Sequence, residues 1–174
     1  IGEAFNKVGK DGVITVEDGK SFETTVEYKQ GMEIDRGFLS QYFKTNGDTE
    51  EAIIEDPYVL LTDKRINYGH ELVPFLENFI KTAKSKNLVI FAGEVIEEAL
   101  AILVVNKLRG IINVCAIQAP AYGDRRQHEL EDLAILTGGT VLLEESGREL
   151  KSVVIEEFGR ADKVTADIDK SVII

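Results

Sequence analysis

The side chains able to do chemistry are scattered along the sequence. His70 and His128 fall at or near predicted helix starts, among charged neighbours. Neither has a second His or Cys at metal-ligand spacing, so no metal site is expected and each reads as a surface side chain. The single cysteine, Cys115, lies mid-strand among Val114, Ala116 and Ile117. A thiol there is a small hydrophobe; a nucleophile would need a partnered histidine, and none is near in sequence. The acidic runs at 48–51, 94–98 and 129–132 read as solvated faces. Nothing in them singles out an acid–base pair, so no catalytic residue is assigned. Arg125-Arg126 falls in the first turn of a predicted helix, beside free backbone N–H groups, where an anion would fit. Pairing with neighbouring carboxylates is the plainer use of these arginines. The strand-to-helix turns at 62–64 and 92–94 and the loop at Pro120 carry neither GxGxxG nor a GxxxxGK phosphate loop. Gly138-Gly139 follows a helix, where glycine acts as a stop.

The elements that must position these residues alternate in type. Helical spacing covers 1–8. Runs at 13–16 and 22–28 read as a hairpin around Glu17-Asp18-Gly19-Lys20. Residues 1–30 look like part of a neighbouring domain that was cut through, and the whole sequence reads as an excised piece of a longer chain. Phe38, Leu39, Tyr42 and Phe43 crowd an irregular segment, either buried or presented as aromatic surface. Strands are expected at 58–62, 88–92, 111–118 and 140–143, with β-like pieces at 163–167 and 171–174. Helices are expected at 71–84, at 94–109 and at 125–136, the last with Asp124 as N-cap. Pro74 requires the first of these to begin near 70–73. The fold class is therefore α/β: a mixed-sheet core with flanking helices and extra antiparallel strands.

The helix at 94–109 is unusual. Val95, Ala99, Ile102 and Leu103 make one core-facing stripe at about 100° per residue. Leu100, Ala101, Val104, Val105 and Leu108 fall on a second, roughly opposite arc. Either that arc is also buried between layers, or it is an apolar surface kept for binding.

The totals narrow the partners. The 174 residues are 44% hydrophobic and 29% charged, with a net charge of -11. No basic field exists to neutralise phosphates, which argues against nucleic acid and against an anionic membrane surface. No apolar run approaches the roughly 20 residues that span a bilayer. One cysteine allows no internal disulfide, which fits a reducing compartment.

Three runs carry a family resemblance. GMEIDRGFLSQYF (31–43), GEVIEEALAILVVNKLRG (93–110) and APAYGDRRQHELEDLAILTGGT (119–140) resemble the apical domain of group I chaperonins, the GroEL family. VGKDGVITVEDG (8–19) is similar to the adjoining intermediate-domain segment of that family. The resemblance implies an apical polypeptide-binding domain over 31–174, preceded by a partial intermediate-domain segment over 1–30. It implies capture of non-native polypeptides, and of a GroES-like co-chaperonin's mobile loop, in a groove between the helices at 71–84 and 94–109. The implied binding residues are Phe38, Tyr42, Phe43, Val73, Leu76, Leu100, Val104, Val105 and Asn106, with Gly31 as a hinge. ATP and Mg belong to parts of the full-length ring that this sequence lacks, so no cofactor and no turnover are expected here. The implied compartment is the bacterial cytoplasm or an organelle matrix.

The sequence also departs from the family pattern. Phe38 stands for a tyrosine, Gln41 for a proline, and Gly93-Glu94 for Glu-Asp. Ile96-Glu97 stands for an acidic residue followed by glycine, and Ala121-Tyr122 for Gly-Phe. Two other readings stay open beside the resemblance. One is an α/β enzyme or small-ligand domain using the carboxylates or Arg125-Arg126. The other makes the second arc a permanent subunit interface.

Overall fold

The computed structural model describes residues 31–174 and the backbone of strands β1 (Thr15–Glu17) and β2 (Thr25–Glu27), which pair antiparallel with Val16 opposite Val26. The two expected strands thus pair, with Glu17 in the strand and not in the turn, while the turn residues 18–20 and the helix expected at 1–8 lie outside the described residues.

A largely parallel sheet makes the core. Strand β5 (Tyr58–Thr62) is buried along its whole length, which is why it reads as a continuous apolar run and not as an alternation. It pairs in parallel with β7 (Asn87–Ala92), and β7 with β9 (Asn113–Gln118). On the other edge of β5 lie β10 (Val141–Leu142), parallel, and β11 (Gly159–Arg160), antiparallel. Helix α1 (Gly69–Thr82) connects β5 to β7, and α2 (Glu97–Leu108) connects β7 to β9. Helix α3 (Gly123–Thr137) then carries the chain back across to β10. Parallel crossovers are almost always right-handed, so this reversal puts α1 and α2 on one face and α3 on the other. Helix α3 accordingly packs on β5, β10 and β11.

A second, antiparallel sheet has the order β3 (Met32–Ile34), β13 (Ser171–Ile173), β12 (Lys163–Ala166), β4 (Ala52–Glu55). Its inward residues alternate along the strands, with Ala52, Ile54, Val164, Ala166 and Ile173 buried. It joins the core where β4 packs on β7 and β9. The fold is thus mixed α/β with added antiparallel strands. A strap over 144–158 closes the flank of α1. Its turn Leu150–Ser152 lies against α1, and Phe158 packs among Tyr58, Phe75 and Phe79, with ring centroids 5.4–5.9 Å apart. Arg148 locks the strap with bonds of 2.6 and 2.7 Å to the Glu157 carboxylate.

Three helix boundaries differ from the sequence expectation. Helix α2 begins at Glu97, not at 94, because Glu94–Val95 is strand β8, paired in parallel with β6 (Arg65–Ile66). Asp124 is not the N-cap of α3. That position is Tyr122, with no side-chain cap bond, and Asp124 lies in the first turn, where its charge suits the helix dipole. Helix α1 begins one turn before Pro74, so the proline sits in its second turn and offers no N–H to the His70 carbonyl. Gly138 ends α3 with φ 74°, the left-handed stop expected of it. No helix among the described residues is long and apolar enough to cross a membrane.

Candidate functional site

Helix α2 presents three different flanks. Ala99 and Leu103 are sealed against the sheet. Glu98 and Ile102 face α1: the Glu98 carboxylate accepts the Gly69 N–H at 2.6 Å, and a Cβ on Gly69 would come within 2.8 Å of the Ile102 Cδ1. Leu100 and Val104 lie on the far flank, half-buried, where α2 meets the turn Gln41–Phe43. The outward ridge is left to Ala101, Val105 and Leu108, with Val105 43% and Leu108 65% exposed. The second arc is therefore not sealed between layers.

Helix α1 supplies the opposing wall. Leu72, Phe75, Leu76 and Phe79 point inward, and Val73 (38%) and Ile80 (48%) are exposed. At about 100° per residue, Val73 and Ile80 lie within about 40° of Gly69, and Val105 within about 20° of Glu98. Gly69 and Glu98 mark the sides on which the two helices meet. Helical period therefore sets Val73, Ile80, Ala101 and Val105 on the apolar flanks of α1 and α2 beside that contact, and on that reckoning they border the trough between the helices, with Ile102 nearest the contact.

The two walls start from a common clasp. Below the helices, β6 and β8 pair in parallel, and Arg65 Nε bonds Glu94 Oε2 at 2.8 Å. The Ile96 N–H donates to the Ile66 carbonyl at 3.0 Å. The Ala99 N–H, in the first turn of α2, donates to the Asn67 carbonyl at 3.1 Å. In return, Glu98 takes the Gly69 N–H at the start of α1, where Tyr68 makes no side-chain cap bond. Glu97 opens α2 with φ 53°, a left-handed conformation that costs a non-glycine residue energy.

Of the residues carried over by resemblance, Val73 and Val105 border the trough, and Leu100 and Val104 flank the ridge. Tyr42 is 64% exposed on the turn beside α2. Asn106 is half-buried, and its amide donates to the Ile102 carbonyl of its own helix at 2.7 Å. Three positions need correction as contact residues. Leu76 is only 5% exposed, since it belongs to the inward stripe of α1. Phe38 is buried because its segment is stitched to the core: Phe38 bridges Ile117, its N–H bonds the Asp167 carbonyl, and the Leu39 N–H bonds Ala116. Phe43 is fully buried at the end of the adjoining turn. Gly31 is buried directly before β3. Ile80 and Leu108 were not among the carried-over positions. The seven-residue interval from Val73 to Ile80, about two helical turns, is the signal that places both on one stripe.

The other chemical candidates are dispersed, and several have local partners. Arg126 Nε donates to the Pro120 and Ala121 carbonyls at 3.4 and 3.0 Å, and its guanidinium lies 5.2 Å from the Tyr122 ring, so it braces that loop. Arg125 is exposed and lies 3.9 Å from Glu129. In an open α/β sheet, a ligand is expected where the strand order reverses, here between the carboxyl ends of β5 and β10. That crevice is sewn together: Thr62 Oγ1 donates to the Leu142 carbonyl at 2.7 Å, and the Glu144 N–H to Asp63 Oδ1 at 2.7 Å. A cavity of about 350 Å³ nearby is lined by Lys64, His70, Glu71, Glu149, Leu150 and Lys151. Its lysines already face carboxylates, Lys64 with Glu144 at 3.5 Å and Lys151 with Glu149 at 3.2 Å. Cys115 is fully buried, and burial pushes its thiol up to about 12, so it is no nucleophile at neutral pH. His70 and His128 are exposed.

No protein-family model matches the sequence.

Proposed function

We propose that this chain is a polypeptide-capture module, the apical domain of a group I chaperonin over 31–174 with an intermediate-domain segment over 1–30. It binds non-native chains on the α2 ridge and in the α1–α2 trough. The observation that carries the reading is the outward ridge Ala101, Val105 and Leu108, apolar and open, with Val73 and Ile80 exposed on the neighbouring helix. Burial of apolar area is non-directional, so such a surface accepts apolar side chains in many sequences. Tyr42, Leu100 and Val104 extend it on the far flank, and Asn106 Oδ1 offers an acceptor to a bound backbone. A GroES-like mobile loop would compete for the same face. ATP and Mg would act in the remainder of a homo-oligomeric ring, in a bacterial cytoplasm or an organelle matrix.

Local backbone geometry adds support. Glu97 and Ala121 occupy positions where the resemblance has glycine, and both have positive φ, 53° and 58°. At both positions the backbone is of the kind glycine favours, as the resemblance would have it; Glu50 and Asp56 share that conformation without such a link. The enzyme reading draws less support, because β5 and β10 are bonded to each other where the strand order reverses and the lysines of the cavity nearby already face carboxylates.

The test is suppression of aggregation of a chemically denatured client. The parent chain is expected to suppress it, and the Val105→Ser/Leu108→Ser variant to lose most of that effect while melting at the same temperature. Equal suppression by parent and variant would sink the assignment.

A further inference from the structure

We propose that Glu98 is a positioning residue of the trough: its carboxylate spans from α2 to the first N–H of α1 and sets the spacing of the two walls. The inference rests on the capture reading above. A helix start leaves N–H groups without partners inside the helix, and a negative charge there also meets the positive end of the helix dipole. In α1 no local side chain takes this role. A carboxylate from the neighbouring helix does, at 2.6 Å from the Gly69 nitrogen. The return bond, Ala99 N–H to the Asn67 carbonyl at 3.1 Å, makes the capping reciprocal.

The approach is close enough that a side chain at position 69 would have to push the ends of Glu98 and Ile102 aside. A Cβ there would collide with Glu98 Oε1 and come within 2.8 Å of Ile102 Cδ1. The clasp residues and the trough residues share helix faces. Val73 stands about one turn above Gly69, and Val105 about two turns above Glu98, or about 6 and 10 Å along the axes. A change of separation or tilt at the clasp is therefore transmitted directly to the walls that would grip a bound segment. Glu98 need not touch that segment to affect its affinity.

The probe is a fluorescently labelled, reduced and carboxymethylated polypeptide that cannot refold, titrated with the whole 174-residue chain. Glu98→Ala is expected to weaken binding about fivefold, the scale of one lost helix cap. Glu98→Gln keeps an acceptor oxygen at the same reach and should restore binding to within about twofold of the parent. Glu98→Asp, one methylene shorter, should behave like the alanine variant, and it serves if that variant does not fold. Hydrogen exchange at the Gly69 amide reports the clasp directly. It should quicken in the alanine and aspartate variants and stay slow in the glutamine variant.

If the parent does not bind the probe, the capture reading itself fails. If the parent binds, and the alanine or aspartate variant binds equally well despite a fast-exchanging Gly69 amide, the positioning role is overturned and the capture reading stands. Failure of the glutamine variant to restore binding while its Gly69 amide stays slow also overturns it, since the charge rather than the spacing would then matter.

Discussion

Helices α2 and α3 flank the same sheet from opposite faces and bury similarly narrow stripes, Ala99 and Leu103 in one, Leu130, Leu133 and Thr137 in the other. Their outward faces differ. Helix α3 shows water Asp124, Arg125, His128, Glu131 and Asp132, with Ile135 as a single exposed apolar residue. Helix α2 shows Glu97 and Glu98 in its first turn and, beyond them, Ala101, Val105 and Leu108 in succession. Packing constrains the inner stripe of each helix and leaves the outer one free. The charged exterior of α3 is the usual solution for a surface helix, and its lone isoleucine needs no explanation. The apolar exterior of α2 is not required by the fold, so a different cause has to account for it.

Substitutions on the two faces should separate these causes. The largest effect is expected inside. Leu103→Ala on the inner stripe of α2, or Leu76→Ala on that of α1, should cost about 2–5 kcal/mol in urea unfolding. For Leu76 this stability loss should account for any change in binding, as befits a buried residue. Next comes the outer face. Val105→Ser should change stability by less than about 0.5 kcal/mol, yet weaken binding of an unfolded client several-fold. Ile135→Ser on α3 should leave both unchanged, and equal binding losses from the two serines would dissolve the contrast between the helices. Glu97→Gly, which relieves the left-handed strain at the start of α2, should raise stability by up to about 1 kcal/mol.

The smallest effect concerns the strap. The hydrogen-bonded Arg148 guanidinium holds the Glu157 carboxyl below its ordinary range. The folded value being the lower one, the pair's contribution is complete above the unfolded-state pKa and disappears as pH falls through the folded one. Arg148→Ala should therefore flatten part of the acid limb of a stability–pH profile and leave binding to the α2 face at neutral pH unaltered.

Strand β5 was legible to the residue because a fully buried parallel strand is a short unbroken apolar run. The double stripe of α2 was legible as an anomaly, since helical period alone separates its faces. The start of α2 was not, because Glu94–Val95 is made a strand by pairing with Arg65–Ile66, a partner distant in sequence. The same cause hid the burial of Phe38 and Leu76. Whether an apolar side chain beside a groove lines it or lies beneath it depends on what covers it. For Phe38 the cover comes from β9 and the 167–168 loop, which no local pattern announces. The clasp was equally hidden, since the acidic run at 94–98 gave no sign that one of its carboxylates caps another helix.

The sealed thiol of Cys115 has a practical consequence. Fully buried, with burial pushing its thiol up to about 12, the native sulfur is expected to react slowly with maleimides at neutral pH. Cysteines introduced at Val73 and Val105 would then be the two reactive handles. Spin or dye labels could then report the distance across the α1–α2 gap without removal of any native residue from the core.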